Sequence, residues 1–332
     1  MGTRLTVMIF LMATAMPAAL TCVAHAATAD PGYSTYPARP IRVVVPISAG
    51  SASDLLARMI GPKLFDAWGQ VVVVDNRTGA GGTLGVGIVA KAPADGHTIL
   101  LTASSLAASA GLYRNLPYDV VRDFAAVTQV ASGPLVLVVA PGLGVKSVRQ
   151  LVTLAQQQPG KLNYGSAGIG SGTHFAGELF RHAAGINVAH IPYKGVPEAI
   201  ADTLSGRIQY YLPPVLSSLP LIRDGKLIAL GVTTKDRATT LPDVPTIAEA
   251  GLAGFVYDSW FGIVAPARTP RSVINKLGGE VTRILAAPDV RGRMAAVGVL
   301  PRSSSPEEFG KLIRDEIETR SRVFKDAGTK VE

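Results

Sequence analysis

The chain has 332 residues, with 32 Lys and Arg against 24 Asp and Glu for a formal net charge of +8, and a single cysteine, Cys22. That length exceeds what one hydrophobic core ordinarily supports, so two domains are expected. The charge is mildly basic, but no Lys/Arg block or aromatic-interleaved basic stripe occurs; this argues against nucleic acid and fits weak steering of a small anion or plain solubility.

The N-terminus "MGTRLTVMIFLMATAMPAALTCVAHA" has one cation, Arg4, an apolar run from Leu5 to Leu20 and the small-x-small end Ala24-His25-Ala26. This pattern predicts a secretory signal peptide cleaved after about Ala26, and so a periplasmic protein; the apolar run is short for a membrane span. Cys22 lacks the leucine three residues before it that a lipoprotein site wants. Removing 26 of the 332 residues leaves a mature chain of 306 without cysteine, so disulfides, thiol chemistry and cysteine metal sites are excluded.

From Ile41 onward a short β-rich run, a Gly/Ser/Pro loop and a helix-period segment recur, which reads as α/β. "IRVVV" (41–45) is a buried strand, "PISAGSASD" (46–54) its loop, and Leu55 to Trp68 a helix that Gly61-Pro62 should kink or restart. "VVVVD" (71–75) is the next strand, followed by a glycine loop and a helix, and "HTILLTA" (97–103) is a third. Strands continue at 135–140, 162–164, 188–190, 207–212 and 227–233. Helices between them begin near Ser147, Thr173, Val196 and Ser217. After the Pro-rich stretch 241–254 comes the strand-like "FVYDSWFGIVAPA" and two helices, roughly 271–286 and 306–327. A terminal helix pair after a long crossing segment predicts a discontinuous first domain, 36–130 plus 260–332, with the second at 131–259.

Two loops share one design: "ISAGSASD" (47–54) and "AGIGSGTH" (167–174) each join a strand to a helix through small residues. Such loops offer close backbone approach, unpaired N–H groups and the positive end of a helix dipole, for which an anionic group is the natural guest. Neither contains Lys or Arg, so a carboxylate would rely on backbone donors and on the hydroxyls of Ser48, Ser51, Ser53, Ser166, Ser171 and Thr173. Capped turns with Asp54 and Thr173 as N-caps are the plainer alternative. A third glycine loop, 79–87, spaces its glycines as G-x-G-x-x-x-G, which does not fit a dinucleotide site and suits a lead into a helix. No G-x-S-x-G or H-E-x-x-H motif occurs. His182 and His190 look isolated, His174 serves to fix its loop, and Glu198 and Asp202 look like a solvated helix face. A periplasmic hydrolase using Ser171 with His174 remains a weaker alternative.

The segments "YPARPIRVVVPISAGSASDLLARMI", "VVVVDNRTGAGGTLG", "KAPADGHTIL", "LYRNLPYDVVRDFAAVT", "IPYKG", "GKLIALGVTT", "LPDVPTIAEAGL" and "SWFGIVAPARTP" together resemble the Bug family, extracytoplasmic solute-binding proteins of tripartite tricarboxylate transporters. The similarity runs from about Tyr36 to Ala327. It implies a two-domain periplasmic-binding-protein clamshell, each domain a mostly parallel sheet flanked by helices, joined by crossing strands. It also implies a non-enzymatic monomer without cofactor or metal that passes a small carboxylate, di-/tricarboxylate or aromatic, to membrane permease subunits; a sensor kinase is the alternative recipient. Carried over to this sequence, the ligand-binding positions are Ile47, Ser48, Ala49, Gly50, Ser51, Ser53 and Asp54 in the first loop, Ala167, Gly168, Gly170, Ser171, Thr173 and His174 in the second, and Ser104 and Ser105 after the third strand. Family members commonly carry an aromatic residue where Ile47 stands, a glycine-rich run where Ser51-Ala52-Ser53 stands, and an acidic residue where Pro213-Pro214 follows the strand. With Asp54 as the loops' only carboxylate, a ligand other than an amino acid is expected.

Overall fold

The computed structural model describes residues 35–113 and 115–326, with Gly2. The expected signal segment, apart from Gly2, lies outside the described residues. Among them no helix is long and apolar enough to cross a membrane.

The first lobe is built on a six-stranded sheet in the order β10-β4-β9-β3-β1-β2. Its members are β1 (Ile41–Val45), β2 (Val72–Asn76), β3 (Thr98–Ala103), β4 (Phe124–Pro134), β9 (Asp258–Pro266) and β10 (Leu300–Pro301). β1 pairs in parallel with β2 and β3, whereas β9 runs antiparallel to both β3 and β4. Alternate side chains enter two cores, one on each face. Val43, Val45, Ile99, Leu101 and Ile263 face α1 (Ala52–Trp68) and α8 (Arg271–Ala286), while Val44, Leu100 and Val264 face α2 (Thr83–Ala90), α3 (Ser105–Leu112) and the start of α10 (Pro306–Asp326). A strand covered on both faces has no polar side, which is why β1 is apolar at all positions but Arg42, whose guanidinium pairs with Asp75 of β2.

The second lobe repeats the plan. β5 (Val136–Val139) pairs antiparallel with β8 (Ile228–Val232), and β6 (Asn163–Ser166) pairs parallel with β7 (Ala189–Pro192). Residues Tyr210 and Tyr211 bridge the two pairs through Tyr164 and Val138. The expected strand 207–212 is therefore reduced to bridges, its line broken by Pro213-Pro214. Leu135, Leu137 and Leu212 face α4 (Val148–Gln157) and α5 (Gly172–Ala184); Val136, Val138 and Tyr211 face α6 (Val196–Leu204) and α7 (Val215–Arg223).

Two strands cross between lobes. β4 and β9 stay paired to Gly133↔Ser259 and Pro134↔Asp258, and β4 passes through Leu135 into β5. α10 crosses as well: Phe309 and Ile313 sit in the first lobe's core, but Phe324 sits in the second's. α1 runs unbroken through Pro62, so Gly61-Pro62 does not restart the helix. Burial of Leu56, Met59, Ile60 and Leu64 on one face offsets the lost helix hydrogen bond. An additional helix, α9 (Pro288–Ala296), separates the two that the sequence predicts near the C-terminus.

Candidate functional site

The first loop leaves β1 and turns into α1. Ser51, not Asp54, is the N-cap, its Oγ accepting from Asp54 N–H at 3.4 Å. Asp54 accepts instead from Gly50 N–H at 2.9 Å and from Arg58 Nε at 3.0 Å, folding the loop onto itself. Burial alone would raise its pKa, yet the Arg58 and Gly50 hydrogen bonds hold the carboxyl below its usual range. That carboxylate is spent inside the loop. Asn76, from the end of β2, pins the Ile47 carbonyl at 3.0 Å; sequence reading missed this contact, which only strand pairing produces.

The second loop leaves β6 and turns into α5. Here Ser171, not Thr173, is the N-cap, accepting from His174 N–H at 3.1 Å. The loop consumes most of its own donors. Ala167 N–H donates to Thr173 Oγ1 at 2.8 Å, Gly168 N–H to Ser166 Oγ at 3.1 Å, Gly170 N–H to His174 Nδ1 at 3.1 Å and Ser171 N–H to the Gly168 carbonyl at 3.0 Å. In the first helical turn the cap takes His174 N–H, leaving those of Gly172 and Thr173 without an intrahelical acceptor.

His174 accepts at Nδ1, so its neutral ring carries the proton on Nε2. His190 is not isolated: its ring stacks on His174 at 4.1 Å between centroids, and its Nε2 lies 2.6 Å from Ser166 Oγ. Burial pushes the His174 pKa down to about 4. Burial, then the His174 charge, push that of His190 to about 3. Ser171 Oγ is engaged by Thr173 Oγ1 at 3.0 Å and by a backbone N–H, while the His174 ring is turned to Gly170. No nucleophile–base pair is formed by these two residues.

The loops meet across the cleft. Ser48 Oγ donates to Glu198 Oε1 of α6 at 2.7 Å, giving Glu198 a cross-lobe partner that a solvated helix face would lack. Tyr113, just past α3, donates from its hydroxyl to the Ile169 carbonyl at 3.1 Å. The third glycine loop joins them, since a Cβ on Gly81 would stand 1.7 Å from the Ile169 carbonyl oxygen. Its lead into α2 is as expected; its place at the lobe interface is not visible in sequence. Gly50 faces Pro197, and a Cβ on Gly170 would fall 2.8 Å from the Tyr113 ring.

Between the loops lies a cavity of about 40 Å³ whose walls carry no charged side chain. The first lobe supplies Ile47, Ala52, Ala103, Ser105 and Phe261; the second supplies Leu135, Ala167, Ser171, Gly172, Thr173, Val196 and Pro214; Ser259 comes from the crossing strand. Of the residues expected from sequence, Ile47, Ser105, Ala167, Ser171 and Thr173 are brought together on this wall. Ser48, Gly50, Gly168 and Gly170 sit at the lobe contact, Ala49 is exposed, and Ser51, Asp54 and His174 hold the loops from behind. Ser53 is buried with no partner for its hydroxyl. Ser104 is buried behind the wall, bonded to Tyr257 Oη at 2.8 Å and Ser259 Oγ at 3.1 Å. Among the described residues, no group of three or more His, Cys, Asp or Glu is placed to hold a metal ion.

Two α/β lobes joined by crossing strands and meeting over an uncharged, hydroxyl-lined cavity define a periplasmic-binding-protein clamshell. The chain belongs to the tripartite tricarboxylate transporter receptor family, whose model matches residues 56–329. Its similarity to the Bug proteins is direct: it is 38% identical to Protein BugT of Bordetella pertussis over 299 residues, 90% of this chain and 92% of that one. Among solved structures, R. palustris Rpa4515 with adipate superposes with a TM-score of 0.86 at 35% identity, covering 88% of this chain and 98% of that one. MatC (Rpa3494) from Rhodopseudomonas palustris with bound malate superposes with a TM-score of 0.83 at 30% identity, covering 87% and 99%.

Proposed function

We propose that the mature chain, after loss of residues 1–26, is a periplasmic solute-binding protein that captures a small carboxylate between its lobes and delivers it to the permease of a tripartite tricarboxylate transporter. The lobes in this reading are 36–130 plus 260–332 and 131–259. The observation that carries it is the cavity itself: hydroxyl-bearing residues and helix starts from both lobes line a space without side-chain charge. An uncharged donor set suits an anion that is bound and then released. Charge-assisted hydrogen bonds contribute about 1.5–3 kcal/mol each, so four or five reach the roughly 8 kcal/mol of micromolar binding. The adipate and malate bound in the two relatives are small carboxylates.

A ligand touching both walls stabilises the closed arrangement by its differential contacts, and the permease reads that arrangement. Ser105, Ser171, Thr173 and the Gly172 backbone supply the contacts; Ser48, Gly168 and Gly170 set how closely the lobes approach. Two cross-lobe hydrogen bonds then act on affinity without touching ligand. Ser48→Ala and Tyr113→Phe are each expected to weaken carboxylate binding by about 0.5–1.5 kcal/mol, roughly two- to tenfold, with unchanged unfolding midpoints. Calorimetric titration of each variant checks this, and unaltered affinity in both would mean that closure does not use these contacts.

The reading as a whole is tested by a thermal-shift panel of di- and tricarboxylates, aromatic carboxylates, amino acids and neutral sugars at millimolar concentration. At about 100–1,000 times Kd a ligand stabilises by roughly 2.7–4.1 kcal/mol, a rise of several degrees. Shifts confined to carboxylates support it; a shift with sugars alone contradicts it.

A further inference from the structure

Arg320 is a cation only 2% exposed, on the part of α10 that packs against the second lobe. Its Nε donates to Glu316 Oε2 at 2.7 Å, and its guanidinium lies over the Phe175 ring at 4.3 Å and the Tyr257 ring at 5.1 Å. Nη1 and Nη2 also reach the Tyr257 hydroxyl oxygen, at 3.5 and 3.4 Å. From there a line of hydroxyls continues, Tyr257 Oη to Ser104 Oγ at 2.8 Å and Ser104 Oγ to Ser259 Oγ at 3.1 Å. Tyr257 packs in the second lobe's core, Ser104 follows β3 of the first and Ser259 lies on β9, so the line crosses the lobe junction.

The cation sets the direction of this line. A guanidinium only donates, so the Tyr257 oxygen accepts from Arg320, and the phenol's own proton has one acceptor among the described residues, Ser104 Oγ. Were Ser104 to donate to Tyr257 instead, a buried phenol proton would be left unpaired, which is the costlier arrangement. With Tyr257 donating, Ser104 passes its proton to Ser259, and the Ser259 proton is the one left over. Ser259 stands where that proton can be used. It lines the cavity, as does Phe261 two residues on, and alternate residues of a strand share a face. Gly172, on the facing wall, abuts the same line: a Cβ there would stand 3.0 Å from both Ser104 Oγ and Tyr257 Oη.

We propose that Ser259 is a ligand-recognition residue whose hydroxyl donates to an oxygen of the carboxylate held in the cavity, and that Arg320, Tyr257 and Ser104 are positioning residues that aim it. This rests on the carboxylate-binding reading above. A carboxylate only accepts and so matches the leftover proton; an ammonium or an amide N–H placed there meets a hydroxyl already committed to donating. The charge of Arg320 thus acts on the site through three hydroxyls while the cavity walls themselves stay uncharged.

The test is a double-mutant cycle of Ser259→Ala and Tyr257→Phe, read by calorimetric titration with adipate, malate, citrate and benzoate as probes. For the tightest-bound probe, Ser259→Ala is expected to weaken binding about tenfold, the loss of one charge-assisted hydrogen bond. Tyr257→Phe, which removes no ligand contact, is expected to weaken it about two- to fivefold, because Ser104 and Ser259 can then point either way. The double variant should bind as Ser259→Ala does, since without the Ser259 hydroxyl there is nothing left to aim. A purely structural Tyr257 would instead multiply its own factor onto that of Ser259→Ala; this outcome overturns the positioning role, as does wild-type affinity in Tyr257→Phe. Wild-type affinity in Ser259→Ala overturns the whole assignment. Failure of the wild-type protein to bind any of the four probes defeats the carboxylate reading itself, and the assignment with it.

Discussion

Replacing Gly81 by alanine is expected to weaken carboxylate binding by about 1–3 kcal/mol, roughly 5- to 150-fold, while both lobes stay folded. A Cβ at this position would stand 1.7 Å from the Ile169 carbonyl oxygen of the opposite lobe, a backbone atom with no rotamer to give way. The lobes must then part by more than an ångström, and the walls supplied by Ile47 and Ser105 recede from those supplied by Ser171 and Thr173. Alanine at φ +65° is also strained, but that strain is present whether the lobes meet or not, so it cancels in the binding equilibrium. Gly69→Ala is the control: its φ is +69° and nothing lies within 4 Å of the added carbon. It should lower the melting temperature by a similar amount and leave affinity unchanged. Equal affinity losses in the two variants would show that backbone strain, not closure, is being measured.

The second large effect is with pH. His174 and His190 are stacked and buried, with pKa values pushed down to about 4 and about 3 from an ordinary 6.5. The groups around them are Glu178, Arg181, Tyr164 and Ser166, with the Phe324 ring on the outer face of His174. Above pH 6.5 both folded and unfolded chains hold neutral rings and nothing is lost. As pH falls below 6.5 the unfolded chain takes up protons that the folded chain refuses, so stability drops until the folded values near 4 and 3 are reached. At pH 5 the loss is about 2 kcal/mol for each ring. Urea unfolding at pH 7.5, 6 and 5 reads it directly, in a window where most carboxylates remain ionised. His190→Gln, which keeps a partner for Ser166 Oγ, should flatten the slope; an undiminished slope in that variant would place the protons elsewhere. Protonation of His174 also turns the acceptor of Gly170 N–H into a donor, so the second loop is the first segment that acid should loosen.

Much of this architecture is legible in the sequence because its cause is local. "LVLVVA" is apolar at every position, and "IRVVV" at all but Arg42, since each strand is covered on both faces, and the small-residue loops announce strand-to-helix turns. The first N-cap is legible too: Ser51 stands three residues before Asp54, the spacing of a capping box. What sequence does not carry is pairing at long range. Nothing near Gly81 signals Ile169, nothing near His174 signals His190, and the bond between Ser48 and Glu198 spans 150 positions. The same limit applies to the second loop's backbone donors. They look free in sequence but are consumed by Ser166, Thr173 and His174 once the turn forms, which shifts recognition from glycine N–H groups toward hydroxyls.

A carboxylate is expected between the lobes, against the Ser171/Thr173 corner. The most direct test is a crystal structure of the mature protein with the carboxylate that gives the largest thermal shift. Its carboxylate oxygens are expected within hydrogen-bond distance of the Ser171 or Thr173 hydroxyls or of the Gly172 and Thr173 N–H groups, with Ser105 on the facing wall. A carboxylate seated outside the cleft, or inside it with its carboxylate turned away from that corner, would contradict the account.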